Sequence, residues 1–191
     1  MSRLSQRFPV LTVSTPRLLI RRVGPADAHQ VAEVFGDRQT QRWLPFAPPY
    51  TWQEAYNWCT SVAEERRSSG DGDHYAIVRR EDDVLVGCMW ATHTDWSGLS
   101  TEISYAVLPR FRGQGVATEA TAALAVDLLA EHGFQRIEQR IAPGNIASRR
   151  VAEKAGFTYE GLLRNAGYVH GDRTDMELWS LTAPDLKHGN A

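Results

Sequence analysis

Only two cysteines, Cys59 and Cys88, occur in the 191 residues. Two cannot build the disulfide framework that staples small secreted domains, so both are expected as small buried side chains in a reducing, cytoplasmic setting. No apolar run approaches the roughly 18 residues that a membrane-spanning helix needs. The basic start at Arg3 and Arg7 precedes a short apolar stretch broken by Pro9 and Thr12, so neither a signal peptide nor a membrane partner is expected. The six histidines are scattered, without His-x-His or His-Glu-x-x-His spacing, which predicts no metal site. A net charge of −2 gives no basis for nucleic-acid binding. No Gly-Lys dipeptide occurs anywhere, which removes the nucleoside-triphosphatase phosphate loop. Repeats and low-complexity tracts are missing too. What remains is an ordinary composition, 42% hydrophobic and 23% charged. It suits one domain over 1–191, with a core from about 13 to 182 and a flexible tail over 183–191.

The informative stretch is Arg110-Phe111-Arg112-Gly113-Gln114-Gly115-Val116-Ala117. Before it, Ile103, Tyr105 and Val107 alternate with smaller or polar residues, a strand period, and Pro109 ends the strand. After it, residues 116–131 contain no Pro or Gly, and Ala117, Thr121, Leu124 and Leu128 share one helical face. Strand, glycine turn and helix start together leave bare N–H groups at the positive end of a helix dipole, a ready phosphate site. A dinucleotide fingerprint would need a third glycine where Thr118 stands. The hexapeptide alone leaves an ordinary strand-to-helix turn open. Arg110 and Arg112 either neutralise phosphate charge or are merely solvated.

A second motif follows in Asn145-Ile146-Ala147-Ser148-Arg149-Arg150, closing with Glu153-Lys154-Ala155-Gly156-Phe157. Asn145 suits a helix N-cap, Ser148 falls one turn in, and Gly156 ends the helix. Read together and in this order, the two motifs resemble the GCN5-related N-acetyltransferases (GNAT), and within them the RimJ/RimL branch of ribosomal-protein N-terminal acetyltransferases. Arg110, Gly113 and Gly115 match that family's pyrophosphate loop, Arg/Gln-x-x-Gly-x-Gly/Ala. Ser14-Thr15-Pro16-Arg17-Leu18-Leu19-Ile20-Arg21 is similar to the branch's first strand, and residues 171–181 to its last hairpin. The likeness spans about 13–181, while 46–49 and 93–98 match nothing and fall where an acceptor would be chosen.

The element pattern reads β-αα-βββ-α-β-α-ββ, with strands at 17–23, 74–80, 84–94, 101–108, 135–142, 157–168 and 174–182. Helices are expected at 25–36, from the capping box Thr51-Trp52-Gln53-Glu54 to about 67, at 116–132 and at 145–155. This fits a three-layer α/β domain with a mixed sheet of about seven strands. The resemblance adds that the sheet is mostly antiparallel, with a splayed central pair and about four helices.

The resemblance implies acetyl-CoA as co-substrate, without a metal. Val107, Arg112, Gly113, Gln114, Gly115, Val116, Ala117, Asn145 and Ser148 are the expected cofactor contacts. The pantetheine arm would lie in the splay as an added strand, and an N–H near Val107 would hold the developing oxyanion. The acceptor is a primary amine that must shed a proton. Glu160, in Phe157-Thr158-Tyr159-Glu160-Gly161, matches the branch's acceptor-site glutamate and is the favoured base; Glu102 is second. Either could instead be a strand-edge carboxylate with no role. The Ser148 hydroxyl would assist the leaving thiolate, unless it is only a first-turn serine bonded to backbone. Tyr159 and Tyr168 do not sit at the family's tyrosine position. Trp58 and Trp179 read as core, while Trp43, Trp52, Trp90 and Trp96 either border the acceptor cleft or pack under loops. The favoured acceptor is a protein N-terminal α-amine. A small amine (antibiotic, polyamine or aminoacyl nucleotide) and a non-catalytic acyl-CoA-binding module are the alternatives, and a homodimer is left open.

Overall fold

The computed structural model describes residues 7–46, 48–169 and 172–188. Its sheet has eight strands: β1 (Thr12–Ser14), β2 (Leu18–Arg22), β3 (Asp73–Arg79), β4 (Val84–Asp95), β5 (Ser100–Val107), β6 (Arg136–Ile141), β7 (Thr158–Val169) and β8 (Asp172–Thr182). They lie in the order β1-β2-β3-β4-β5-β6-β8-β7. The additional strand is β1, short and folded back on β2, where Thr15 Oγ1 accepts from the Leu18 N–H at 2.8 Å. Each neighbouring pair is antiparallel except β5 and β6, which run parallel.

Helices α1 (Ala28–Gly36), α2 (Arg38–Trp43), α3 (Trp52–Asn57) and α4 (Ala63–Ser69) come between β2 and β3; α5 (Val116–Ala130) and α6 (Ile146–Lys154) flank β6, and a short α7 (Asp185–His188) follows β8. The expected tail at 183–191 therefore holds α7, and its end at 189–191 lies outside the described residues. Helix α2 has no counterpart in the sequence layout. It begins because Asp37 Oδ2 accepts from the Thr40 N–H at 2.9 Å, an N-cap inside a polar stretch with little apolar period. The capping box at Thr51 and Glu54 forms, but a π turn over Trp58–Val62 separates α3 from α4. Gly70 stops α4 in the left-handed conformation, φ 80°.

Strand residues alternate between faces. His74 and Trp90 are partners across β3 and β4 and point to one face, where Trp58 stacks on His74 at 4.0 Å and Phe35 meets Trp90 at 5.7 Å. Tyr75, Met89 and Tyr105 form a row on the other face. There α5 packs on β1, β2, β5 and β6, with α6 beside it over β6 and β7. Three layers result. Trp58 and Trp179 are core, as expected, at 7% and 5% exposure. No helix among the described residues is long and apolar enough to cross a membrane.

Candidate active site

Parallel pairing of β5 with β6 covers only Ser100–Glu102 against Arg136–Glu138. Beyond that rung the strands part, so residues 103–107 have no partner on that side. A cleft of about 510 Å³ opens there, lined by Ile103 to Val107 on one wall and Gln139 to Ala142 on the other. That volume is in the range of small-molecule sites.

The glycine turn stands at one end. Gly113 and Gly115 adopt φ +75° and +78°, the left-handed region where a side chain is strained, and a Cβ at Gly113 would meet nothing within 4 Å. Gly115 is the N-cap of α5, so the first N–H groups of that helix have no partner within it. Gly113, Gly115, Val116 and Ala117 line the cleft, together with Val107, Arg112, Asn145 and Ser148. Eight of the nine residues expected to hold the cofactor are thus brought to one cavity. Gln114 is the exception: it is not a lining residue, and its amide donates to Arg110 O at 2.9 Å.

Arg112 is not free to neutralise a phosphate. Its guanidinium donates to Val107 O at 2.9 Å, Gln39 Oε1 at 3.1 Å and Thr40 Oγ1 at 3.0 Å, and pairs with Asp37. It ties the turn to α2. Arg110 pairs with Glu33 on the surface. A brace that sequence reasoning missed holds the turn from behind: Arg17 donates to Glu119 Oε2 at 2.7 Å and to Gln114 O at 3.1 Å. The signal was available, since Thr15 and Arg17 belong to a matched motif with no role assigned. Arg140 on β6 and Arg150 and Lys154 on α6 are further cations lining the cleft.

On the far wall Asn145 Oδ1 accepts from the Ser148 N–H at 3.2 Å and caps α6. Ser148 is thereby fixed one turn in, close to Tyr105. Burial pushes the Tyr105 phenol up to about 12, with Ser148 offsetting part of the rise. Trp43 crosses from α2 to the loop after β6, its ring 3.2 Å from where a Gly144 Cβ would be. The other expected border tryptophans pack elsewhere: Trp52 on Tyr56, Trp90 on Phe35, and Trp96 between Phe8 and Phe134.

The two glutamates differ. Glu160 accepts from Arg136 at 2.7 and 2.5 Å and from Ser180 Oγ at 2.6 Å, and does not line the cleft. Arg136 first, then Ser180, lowers its carboxyl to about 2. A carboxylate so stabilised is a poor proton acceptor, which corrects its rank as the favoured base. Glu102 lies on the last paired rung, at the apex of the splay, with its side chain 13% exposed. Oε2 is 3.4 Å from Arg140 Nε, and Arg140 lines the cleft. His93 Nδ1 approaches the same oxygen at 3.4 Å, and that contact raises the His93 pKa. His93 is swung out by a bulge in β4 at φ 54°. Among the described residues, no group of three or more His, Cys, Asp or Glu could hold a metal ion.

Bare helix N–H groups behind two left-handed glycines, cationic side chains, and a slot between unpaired strand edges suit a long, phosphorylated, amide-bearing ligand such as CoA. The Acetyltransferase (GNAT) domain matches residues 17–158. YdaF of Bacillus subtilis (strain 168), which carries the provisional name of ribosomal N-acetyltransferase, is 30% identical over 166 residues, 86% of this chain and 90% of that one. The [ribosomal protein uS5]-alanine N-acetyltransferase of Escherichia coli (strain K12) is 23% identical over 190 residues, 95% of each chain. Among solved structures, Mycobacterium smegmatis RimJ in complex with CoA-disulfide superposes with a TM-score of 0.81 at 24% identity, over 94% of both chains, a likeness of fold.

Proposed function

The chain belongs to the GNAT acetyltransferases, and on that premise we propose that it uses acetyl-CoA to acetylate a primary amine, with a protein N-terminal α-amine as acceptor. The observation that carries the reading is the parting of β5 and β6 after one short paired stretch, with the glycine turn and the start of α5 at its mouth. When bound, acetyl-CoA supplies the activated acyl group, and transfer is direct: the C–N bond forms as the C–S bond breaks.

The protein's part is binding, orientation and proton handling. The N–H groups of Gly113, Gly115, Val116 and Ala117 hold the pyrophosphate, with Arg150 and Lys154 as counter-charges. An N–H near Val107 faces the acyl oxygen and stabilises charge that develops there. Glu102 takes the proton that the ammonium must lose. Ser148 Oγ donates a hydrogen bond to the departing sulfur, which needs little acid help because a thiol has a pKa near 8.5. Glu160 organises Arg136 and the β6–β8–β7 face. Relatives named as ribosomal-protein acetyltransferases support the choice of acceptor.

The test is thiol release from acetyl-CoA with short peptides bearing free or blocked α-amines, run beside aminoglycosides and polyamines. Free peptides alone should be turned over. Activity on a small amine and on no peptide would replace the acceptor, and no turnover with any amine would leave a binding module. With the best acceptor, Glu102→Gln should lower kcat about 100-fold and Glu160→Gln only a few-fold. The reverse order would return the base to Glu160.

A further inference from the structure

The segment between β1 and β2 reaches the glycine turn with two side chains. Arg17 donates from Nε to Glu119 Oε2 at 2.7 Å and from Nη1 to Gln114 O at 3.1 Å, across 97 residues of sequence. Thr15 Oγ1 donates to Glu119 Oε1 at 2.5 Å. Arg80 fastens the segment in turn, with its N–H on Arg17 O at 2.9 Å and Nη1 on Thr15 O at 2.7 Å. The Arg17 side chain is 55% exposed, and an ion pair so open to water adds little to stability. Its bearing is on the turn.

The Gln114 carbonyl and the Gly115 N–H belong to one peptide unit, and in a trans peptide the two point opposite ways. With the carbonyl held on Arg17, the Gly115 N–H is turned the other way. It finds no acceptor among the described residues, and Gly115 lines the cleft. The guanidinium lies against the glycine itself, because a Cβ there would meet Arg17 Nη2 at 3.4 Å and nothing else within 4 Å. Glu119 adds a second demand. It is a carboxylate in the first turn of α5, where an anion at the helix start would meet like charge. Arg17 Nη2 stands 2.5 Å from Glu119 Oε2 and compensates that charge.

We propose that Arg17 is a positioning residue for the diphosphate of CoA: it fixes the Gln114–Gly115 peptide with its N–H toward the anion and neutralises the Glu119 carboxylate beside it. The inference rests on the acetyl-CoA reading above.

The experiment measures calorimetric affinities for CoA and for 3′-phospho-ADP, its diphosphate-bearing nucleotide half, together with the Gly115 amide resonance and the thermal midpoint. Arg17→Gln should weaken both ligands about 10-fold, the loss of a charge-assisted contact, with a nearly unchanged midpoint. In turnover, KM for acetyl-CoA should rise while kcat stays within about two-fold, as expected for lost ground-state binding. Adding Glu119→Gln to Arg17→Gln should recover about three-fold of the affinity, because the uncompensated carboxylate is gone. Arg17→Lys keeps the charge but has no fork to span Glu119 and Gln114 O, so it should lose about three-fold, and it carries the test if the glutamine variant melts early. In the wild type the Gly115 amide proton should move downfield when 3′-phospho-ADP is added, and in Arg17→Gln at saturation that shift should at least halve. Unchanged affinity for both ligands, or an undiminished Gly115 shift, overturns the proposal while the phosphate site stands. If the wild-type protein binds neither CoA nor 3′-phospho-ADP, the acetyl-CoA reading fails as well.

Discussion

The sheet has a packed half and a seam, and they treat buried polar groups differently. Under α3 and α4, His74 keeps its Nδ1 2.9 Å from Trp58 O and its ring stacked on that indole, while Asp73 sits 2.7 Å from Arg22. At the seam between β5 and β6, Gln139 Oε1 has no such partner. Where helices cover the sheet, polar atoms are mostly satisfied from within, with the Tyr75 hydroxyl as an exception. At the seam the strand pairing itself is interrupted, and unpaired backbone and side-chain groups stand ready for a ligand. On the proposed function, the packed half carries stability and the seam carries recognition. That division can be broken by perturbing each region and reading both stability and binding.

The largest effect is expected at the seam's mouth. Gly115→Glu places a carboxylate at the N-cap of α5, where φ is +78°. The strain costs about 1–2 kcal/mol, and part of it is offset because a negative charge suits a helix N-terminus. The fold should therefore persist, with a modestly lower thermal midpoint. A Cβ at Gly115 would stand 3.4 Å from Arg17 Nη2, so the carboxylate also disturbs the brace that holds the turn, and with a negative charge added beside the phosphate-binding N–H groups CoA affinity should fall more than about 100-fold. Calorimetry showing unchanged affinity would put the phosphate site elsewhere.

Features written in local spacing were legible in the sequence, and features made by distant neighbours were not. The glycine turn, the Asn145 cap and the capping box at Thr51 each depend on a few consecutive residues. Glu160 looked like a base because its pentapeptide resembles a known site, yet Arg136, 24 residues away, decides its charge state. Arg112 sits within the phosphate motif, but Asp37 and Thr40 of a helix hidden in a polar stretch occupy it. Gln139 reads as one polar residue in an alternating strand, and only the parting of β5 from β6 gives it meaning. The fold followed from periodicity and motif order, whereas individual roles in the site required cross-strand neighbours.

The next effect belongs to the packed half. Burial lowers the His74 pKa to about 4, against 6.5 for the ordinary imidazole. The unfolded chain therefore binds this proton first as pH falls, and the fold loses stability between about 6.5 and 4, with no further loss below. The full span is worth roughly 3 kcal/mol, at 1.36 kcal/mol per unit. His74→Phe, which keeps a ring over Trp58, should flatten that slope in urea midpoints measured from pH 7 to 4.5, whatever constant offset it adds. CoA affinity at pH 7 should not change. An identical pH slope in the variant would show that His74 is charged in the fold, and coupled loss of CoA binding would join the two halves into one unit.

The smallest effect sharpens the comparison within the seam, by separating a group that binds from one that acts. Ser148→Ala removes a hydroxyl but keeps the backbone N–H that Asn145 Oδ1 accepts from at 3.2 Å, so the cap on α6 survives. Alanine is also the better helix former. Position and stability should be preserved, and CoA affinity should stay within about two-fold. Turnover with the best amine should fall about ten-fold, less than the roughly 100-fold or more of a full general acid, because the thiolate needs little help. A fall in kcat at nearly constant KM for acetyl-CoA places the hydroxyl's interaction in the transition state rather than in binding. Unaltered kcat would reduce Ser148 to a first-turn helix residue, and the sulfur would leave as thiolate without help from α6.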